Sequence, residues 1–458
     1  MKANGYWRWP PDRAPARNVL RPSELISRGA WFAPAAGEVK HLRKTEDLPQ
    51  LPGFDHTLAF LRSGYAFVGQ RCDELGTDRF ATRLMLRPVI CARGEAAAEL
   101  VYDAERVTRQ GAMPPTVLRL LQDKGSVQQL DGAAHRQRKA LFTGLLMSDA
   151  AEAAFVERFR AAWIEAIVRW RGAGQVVLYD EMHPVLTTAI CDWVGMGAAG
   201  RDDAALAGDL RAMIENTSSV GPRVVFALAR RSRTERRLRE LIEKVRAAPE
   251  SDTPLSIIAH FRDPGGALLP VEVAAVELLN VLRPTVAVAR YIAFAALALH
   301  EHPDWREALR GAPASRFEHF AEEVRRFYPF FPVIGGVARR GFDWEGIGIA
   351  KGQWMLLDLY ATTHDPRYFP EPQVFSPGRE LSWRGQDHRF IPQGAGDAHV
   401  THRCPGERLT VAAIREATRM LVEEMDYEVP AQDLTVSLKR MPARPASGMV
   451  LRWRQPGV

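Results

Sequence analysis

The sequence predicts a mainly α-helical, single-domain protein with a small β portion. Three observations carry that prediction. Long segments place apolar residues at helical period, while a Gly-punctuated stretch between residues 333 and 358 changes to short strand-like runs. No internal repeat or low-complexity linker divides the 458 residues. With 46% hydrophobic and 25% charged residues, the chain has material for one large core.

The elements follow in order. Residues 1–47 form a basic, Pro-rich extension with little periodicity. Its start, "MKANGYWRWPPDRAPARNVLRPSELISRG", lacks the continuous apolar core of a signal peptide. "LPQLPGF" opens a body expected over residues 48–458. Helical period marks "AAFVERFRAAWIEAIVRW", "RSRTERRLRELIEKVRA", "VEVAAVELLNVLRPTVAVARYIAFAALAL" and "SRFEHFAEEVRRFY". "PVIGGVARR" and "QWMLLDL" read as strands, and the end, "LTVSLKRMPARPASGMVLRWR", as a last hairpin. The most apolar stretch, "YIAFAALAL", is shorter than the ~20 residues of a bilayer span, so no transmembrane segment is expected.

The net charge is +6, and outside the head the two signs are interspersed. That is a weak pointer to an acidic ligand. No basic block with interleaved aromatics points to nucleic acid. Cys72, Cys91, Cys191 and Cys404 are scattered without a CxxC pair, which favours a reducing compartment and a cytoplasmic location.

Two stretches carry chemistry. In "FIPQGAGDAHVTHRCPGERLTVAAIREATRMLVEE" a Gly-rich loop delivers Cys404 just before a helix. The helix N-terminus and Arg403 are expected to lower the thiol pKa. A buried, inert cysteine and a zinc site of His399, His402 and Cys404 are the alternatives. In "NVLRPTVAVARY" an arginine and a proline, Arg283 and Pro284, interrupt a long apolar run. Pro284 has no N–H for the Asn280 carbonyl, so the helix should bend or open there. An unpaired Arg283 in such surroundings costs on the order of several kcal/mol, whereas a bound carboxylate offers it a bidentate partner. The alternative is a snorkelling arginine whose charge reaches water or another anion.

Phe390, Gly394, Arg403, Cys404 and Gly406 of the cysteine loop, Glu323 and Arg326 of "EEVRRF", and Arg379 of "FSPGRE" occur in order. On these residues the chain resembles the cytochrome P450 superfamily from about residue 50 onward. The resemblance implies a haem-thiolate fold holding haem b (iron protoporphyrin IX), with Cys404 as the axial iron ligand. It also implies a buried Glu323–Arg326–Arg379 network on the haem side, where the spacing alone would equally suit an exposed helix ion pair.

Two departures narrow the family. The stretch from Phe390 to Cys404 is longer than most members have, and Arg283–Pro284 stands where most carry an acid and an alcohol. Both departures, with "IPQG", "HRC" and "SLKRMPARPASG", resemble the fatty-acid peroxygenase branch. That implies hydrogen peroxide as oxidant, a fatty acid as substrate and no obligatory redox partner. Arg283 would bind the substrate carboxylate, which would move a proton between the peroxide oxygens as general base and then acid. Pinning the carboxylate would limit reaction to the α or β carbon.

The resemblance also places Gln128 on the substrate side, where histidine accompanies decarboxylation to terminal alkenes and glutamine hydroxylation. His135, Lys139, Arg109 and Gln393 match positions that hold haem propionates, with Arg403 beside them. Residue by residue, a surface amide and solvated cations remain alternative readings. Pro405 follows the cysteine where a free amide is common, and Gln122 stands where the branch often has an aromatic. The expectation is therefore peroxide-driven hydroxylation of long-chain fatty acids. Alkene-forming decarboxylation, dioxygen-dependent monooxygenation and non-catalytic carriage are the rivals.

Overall fold

The structure, a computed structural model, describes residues 43–44, 47–123, 125–197, 204–219, 221–379, 381 and 388–454. Most of the basic head lies outside the described residues. Leu42–Val458 forms one compact unit, whose first described residues, Arg43–Lys44, pair in parallel with Ile347–Gly348.

Ten helices position the site: α1 (Pro115–Leu121), α2 (Gly132–Leu146), α3 (Asp149–Ala173), α4 (Leu178–Val194), α5 (Ala204–Glu215), α6 (Pro222–Arg246), α7 (Val271–Ala287), α8 (Ala289–Glu301), α9 (Ala314–Phe327) and α10 (Glu407–Arg419). The periodic segments read from sequence fall within α3, α6, α7 with α8, and α9. Local chemistry explains their bounds. Ser148 caps α3 by accepting from the Ala151 amide at 3.1 Å, and Asp149 and Glu152 lie in its first turn, where the helix dipole favours acids. Phe155, Phe159, Trp163 and Trp170 then recur on the face of α3 buried in the main core.

The proline in α7 acts one turn later than its position suggests. The helix continues through Pro284 and opens at Val288, whose amide turns to the Thr285 carbonyl at 3.1 Å. The Thr285 hydroxyl donates back to the Val281 carbonyl at 2.9 Å, a bond that tends to bend a helix. By length and composition the combined run Val271–Glu301 would cross a membrane, which the shorter stretch read from sequence would not. Its apolar residues are buried against the rest of the fold.

A five-stranded sheet packs beside the helices. Its strands are β1 (Arg79–Leu84), β2 (Arg87–Ala92), β3 (Val107–Thr108), β4 (Val333–Ala338) and β5 (Trp354–Asp358), in the order β1-β2-β5-β4-β3. β4 and β5 are the expected strands and pair antiparallel. The β1–β2 hairpin went unread because its turn residues, Met85 and Leu86, hold φ of 52° and 61° without the Asn or Gly that such a turn favours. The last hairpin is corrected. Val436 and Pro445 make a single antiparallel bridge, and Val450–Trp453 pairs instead with Tyr427–Glu428 and Gln175–Val177. Prolines at 442 and 445 interrupt the run and deny it a ladder.

Candidate active site

Arg283 is 3% exposed and fixed on one side only. Its Nη2 donates to the Leu121 carbonyl and, at 2.9 Å, to Asn280 Oδ1. Leu121 ends α1, where carbonyls lack helical partners. Nη1 is buried and makes no hydrogen bond. Burial, then the nearby Arg231, pushes the Arg283 pKa well below its ordinary value. A guanidinium keeps its proton in proteins, so this strain is relieved by an arriving anion rather than by proton loss.

A polar chain along α7 holds that guanidinium. Asn280 donates to Glu277 Oε2 at 2.9 Å and to Gln128 Oε1 at 3.3 Å. Glu277 is fully buried and accepts from Arg138 at 2.6 Å and from the Val127 amide at 2.9 Å. Burial raises the Glu277 pKa, and Arg138 opposes that rise. Glu277, Asn280 and Arg283 recur every third residue and so share one helix face. Sequence reasoning missed Glu277 and Asn280, although polar residues at that spacing in an apolar run were the available signal. Gln128 is half-buried and joined to this chain, so it is no free surface amide. Gln122 is half-buried beside it and accepts from Gln129 at 2.8 Å.

The acceptor for Arg283 is itself held from a distance. Arg231 on α6 is fully buried and donates to the carbonyls of Leu120 at 2.9 Å and Gln122 at 3.3 Å, flanking Leu121. It also meets Asp123 at 3.4 Å, and Asp123 turns the chain with φ of 100°.

Cys404 lies in the loop before α10, its amide donating to the Gln393 carbonyl at 3.0 Å. The expected depression of its pKa is corrected. Burial, then Glu407, raises it, against Lys139 and the Gly406 amide. Arg403 does not offset this because Glu407 and the Gly396 carbonyl hold it, at 2.7 and 3.2 Å. Pro405 does not strip the sulfur of a donor, since the Gly406 amide supplies one. The zinc alternative loses its ligands. His399 is exposed on Asp397, His402 lies tilted against His135 with ring centroids 4.1 Å apart, and no group of three metal-binding residues occurs among the described residues.

Around the loop, donors converge. His135 is buried with Nε2 unpartnered, and burial followed by Lys139 lowers its pKa to about 4. Lys139 is buried, donates to the Arg403 carbonyl, and is lowered by burial to about 8. Arg109 bonds the Gly335 carbonyl through Nη1 and leaves Nη2 buried without a partner. Gln393 Oε1 accepts from Arg325 at 3.1 Å and its Nε2 donates to Thr410 at 3.1 Å, so its side chain braces α9 against α10.

Glu323 and Arg326 are fully buried in a bidentate pair at 2.7 and 2.8 Å. Arg379 approaches Glu323 at 3.5 Å, and both arginines donate to the Val374 carbonyl at 3.2 Å. A second network, unread in the sequence, is offset from it by one position along α9. Arg325 bonds Glu322 and Glu407, and Glu407 bonds Arg403. The doubled "EEVRR" was its signal. Through these charges the cysteine loop is fixed to α9.

Comparison with known proteins settles the family. A Cytochrome P450 family model matches residues 318–450. The structure of cytochrome P450SP alpha (CYP152B1) in complex with (R)-ibuprofen is 42% identical, with 87% of this chain and 98% of that one covered at a TM-score of 0.84. The chain belongs to the cytochrome P450 family. Within this family it falls in the fatty-acid peroxygenase branch. Cytochrome P450EX alpha (CYP152N1) with myristic acid is 39% identical over 88% of this P450 and 98% of that chain, TM-score 0.84. A variant of cytochrome P450 OleT in complex with arachidonic acid is 32% identical over 90% and 99%, TM-score 0.85. Putative cytochrome P450 120 of Synechocystis is 22% identical over 86% of this chain and 93% of its own length. Tabersonine 6,7-epoxidase isoform 1 of Catharanthus roseus is 26% identical over 113 residues, only 22% of its length.

Membership in this P450 family implies haem. The residues present fit that group. The Cys404 sulfur stands in a donor-lined loop, and the unpartnered Arg109 Nη2 and His135 Nε2 suit the group's carboxylates.

Proposed function

We propose that this P450 uses hydrogen peroxide to hydroxylate long-chain fatty acids at the α or β carbon, with Arg283 binding the substrate carboxylate. The observation that carries the reading is the half-satisfied guanidinium, fixed by Leu121 and Asn280 with Nη1 buried and free of partners. The fatty acids bound to relatives of 32% and 39% identity support the substrate class.

Haem b, its iron on Cys404, supplies the oxidising centre when bound. His135, Lys139 and Arg109 would hold its propionates, with Arg403 keeping the cysteine loop in place. Arg283 binds and orients the substrate by a charge-assisted pair through Nη1, the nitrogen its anchors leave free. The bound carboxylate takes a proton from one peroxide oxygen and returns it to the other, so no acid–alcohol pair is needed on α7. Pro284 follows the clamp and loosens the turn between α7 and α8, giving that face room. Gln128 offers an amide beside Asn280, and an amide in place of histidine favours hydroxylation over alkene formation. Peroxide brings its own electrons, so no reductase is required, and a cytoplasmic enzyme fits this chemistry.

The test is purified holoprotein with myristic acid and peroxide alone, products identified by mass spectrometry. We expect 2- or 3-hydroxy acids. 1-Alkenes as the main product would make it a decarboxylase. No product without NAD(P)H and a redox partner would overturn the reading.

A further inference from the structure

Away from Arg283, a cleft of about 230 Å³ opens between the loop joining α5 to α6 and the segment 440–444. Tyr179, Glu215, Asn216, Ser219, Arg223, Arg440, Met441, Pro442 and Arg444 line it. Three guanidinium groups therefore meet in one concavity. Among the described residues, the side chains of Arg223 and Arg440 make no hydrogen bond or ion pair. Arg444 lies over the Tyr179 ring at 4.8 Å, and its Nε is buried without a partner.

Glu215, the acid of the lining, offsets the charge of Arg440 in part. Glu215 is held by Arg211 at 3.3 Å, and Arg211 also binds Asp180 at 2.8 Å. At the exposed Arg440, partial burial and then repulsion from Arg444 disfavour the charge, while Glu215 favours it. Three guanidinium groups thus share one acid that Arg211 also holds, and a bound anion would supply the missing counter-charge. Both walls are already tied, because the Ser218 hydroxyl donates to the Met441 carbonyl.

We propose that this cleft binds a phosphate group, free or carried on a small organic molecule. Forked guanidinium donors match phosphate oxygens bidentately, and Ser219, Asn216 and Tyr179 add neutral polar groups. A dianion suits three arginines better than a single carboxylate does. A fatty-acid tail finds little here, since Met441 and Pro442 are the main apolar parts of the lining. None of the groups that fix Arg283 lines this cleft, so the site is separate from the substrate clamp.

Calorimetric titration of the full-length holoprotein tests this, with inorganic phosphate in one arm and glycerol 3-phosphate in the other. Ionic strength is held constant with chloride. Saturable one-to-one binding is expected. Arg440→Gln and Arg223→Gln should each weaken it about tenfold or more, the loss of one charge-assisted contact. Arg440→Lys should recover part of it, keeping charge without the fork. The haem absorbance change on adding myristic acid should be the same in every variant, which separates this site from the proposed substrate site. Saturation in both arms assigns recognition to the phosphate itself, and saturation in the ester arm alone adds the organic part. No saturation in either arm, equal binding by the Gln variants, or one-for-one displacement by myristic acid would overturn the proposal.

Discussion

Replacing Arg283 by alanine removes a contact whose size follows from its surroundings. The guanidinium is 3% exposed and keeps one buried donor for the ligand. Truncating one member of a buried, hydrogen-bonded charge pair costs about 2–5 kcal/mol. At ~1.4 kcal/mol per factor of ten, fatty-acid affinity should fall by roughly 30- to 4,000-fold. Turnover should fall further, because the carboxylate that moves the proton is no longer placed. Arg283→Lys should recover only part, since an ammonium cannot reach Leu121, Asn280 and the substrate together. The assay is peroxide-driven hydroxylation of myristic acid, with the reduced carbonyl spectrum confirming haem. Added guanidinium ion should restore some activity to the alanine variant, which a purely structural defect would not allow. An alanine variant within threefold of wild type, or methyl esters oxidised as fast as free acids, would refute the reasoning.

Asn280→Ala should raise the KM for fatty acid about tenfold or more while haem is retained, because Arg283 loses one of its two anchors; an unchanged KM would count against the polar chain. Glu323→Ala leaves Arg326 buried without its carboxylate and should destabilise the fold by about 3–5 kcal/mol in denaturant unfolding. A loss below about 1 kcal/mol would contradict that. Asp358 is buried, which raises its pKa from 3.8 to about 7 against the donors around it, Ala361 first. The folded state therefore keeps a proton that the unfolded state releases in that window, so stability falls as pH rises from about 4 to 7, by at most ~4 kcal/mol. Asp358→Asn keeps the acceptor for the Ala361 amide, at 2.8 Å in the native protein, and should flatten this slope. Parallel stability–pH curves for the two proteins would refute the assignment.

What the sequence revealed were features written in short spacings. Glu323 and Arg326 sit one turn apart, the cysteine loop precedes α10, and Arg283 stands out as a charge in an apolar run. What it hid depends on residues far apart in the chain. The Leu121 carbonyl lies 162 positions from Arg283, and Gln393 finds Arg325 and Thr410 only after α9 and α10 meet. Burial of the Cys404 thiol is set by distant segments, and Arg403 cannot counter it. The i,i+4 spacing to Glu407 already offered Arg403 a partner. The β1–β2 hairpin was lost for a local reason, since nothing in Met85–Leu86 advertises a left-handed turn.

Because the clamp leans on a main-chain oxygen at Leu121, alanine scanning along α1 would report its anchor as dispensable. Substituting that leucine leaves the oxygen in place. Control over it sits on a different helix, in Arg231, which grips the peptide groups on either side. Natural variation that retunes acid recognition should therefore surface at position 231 and at the turn around Asp123.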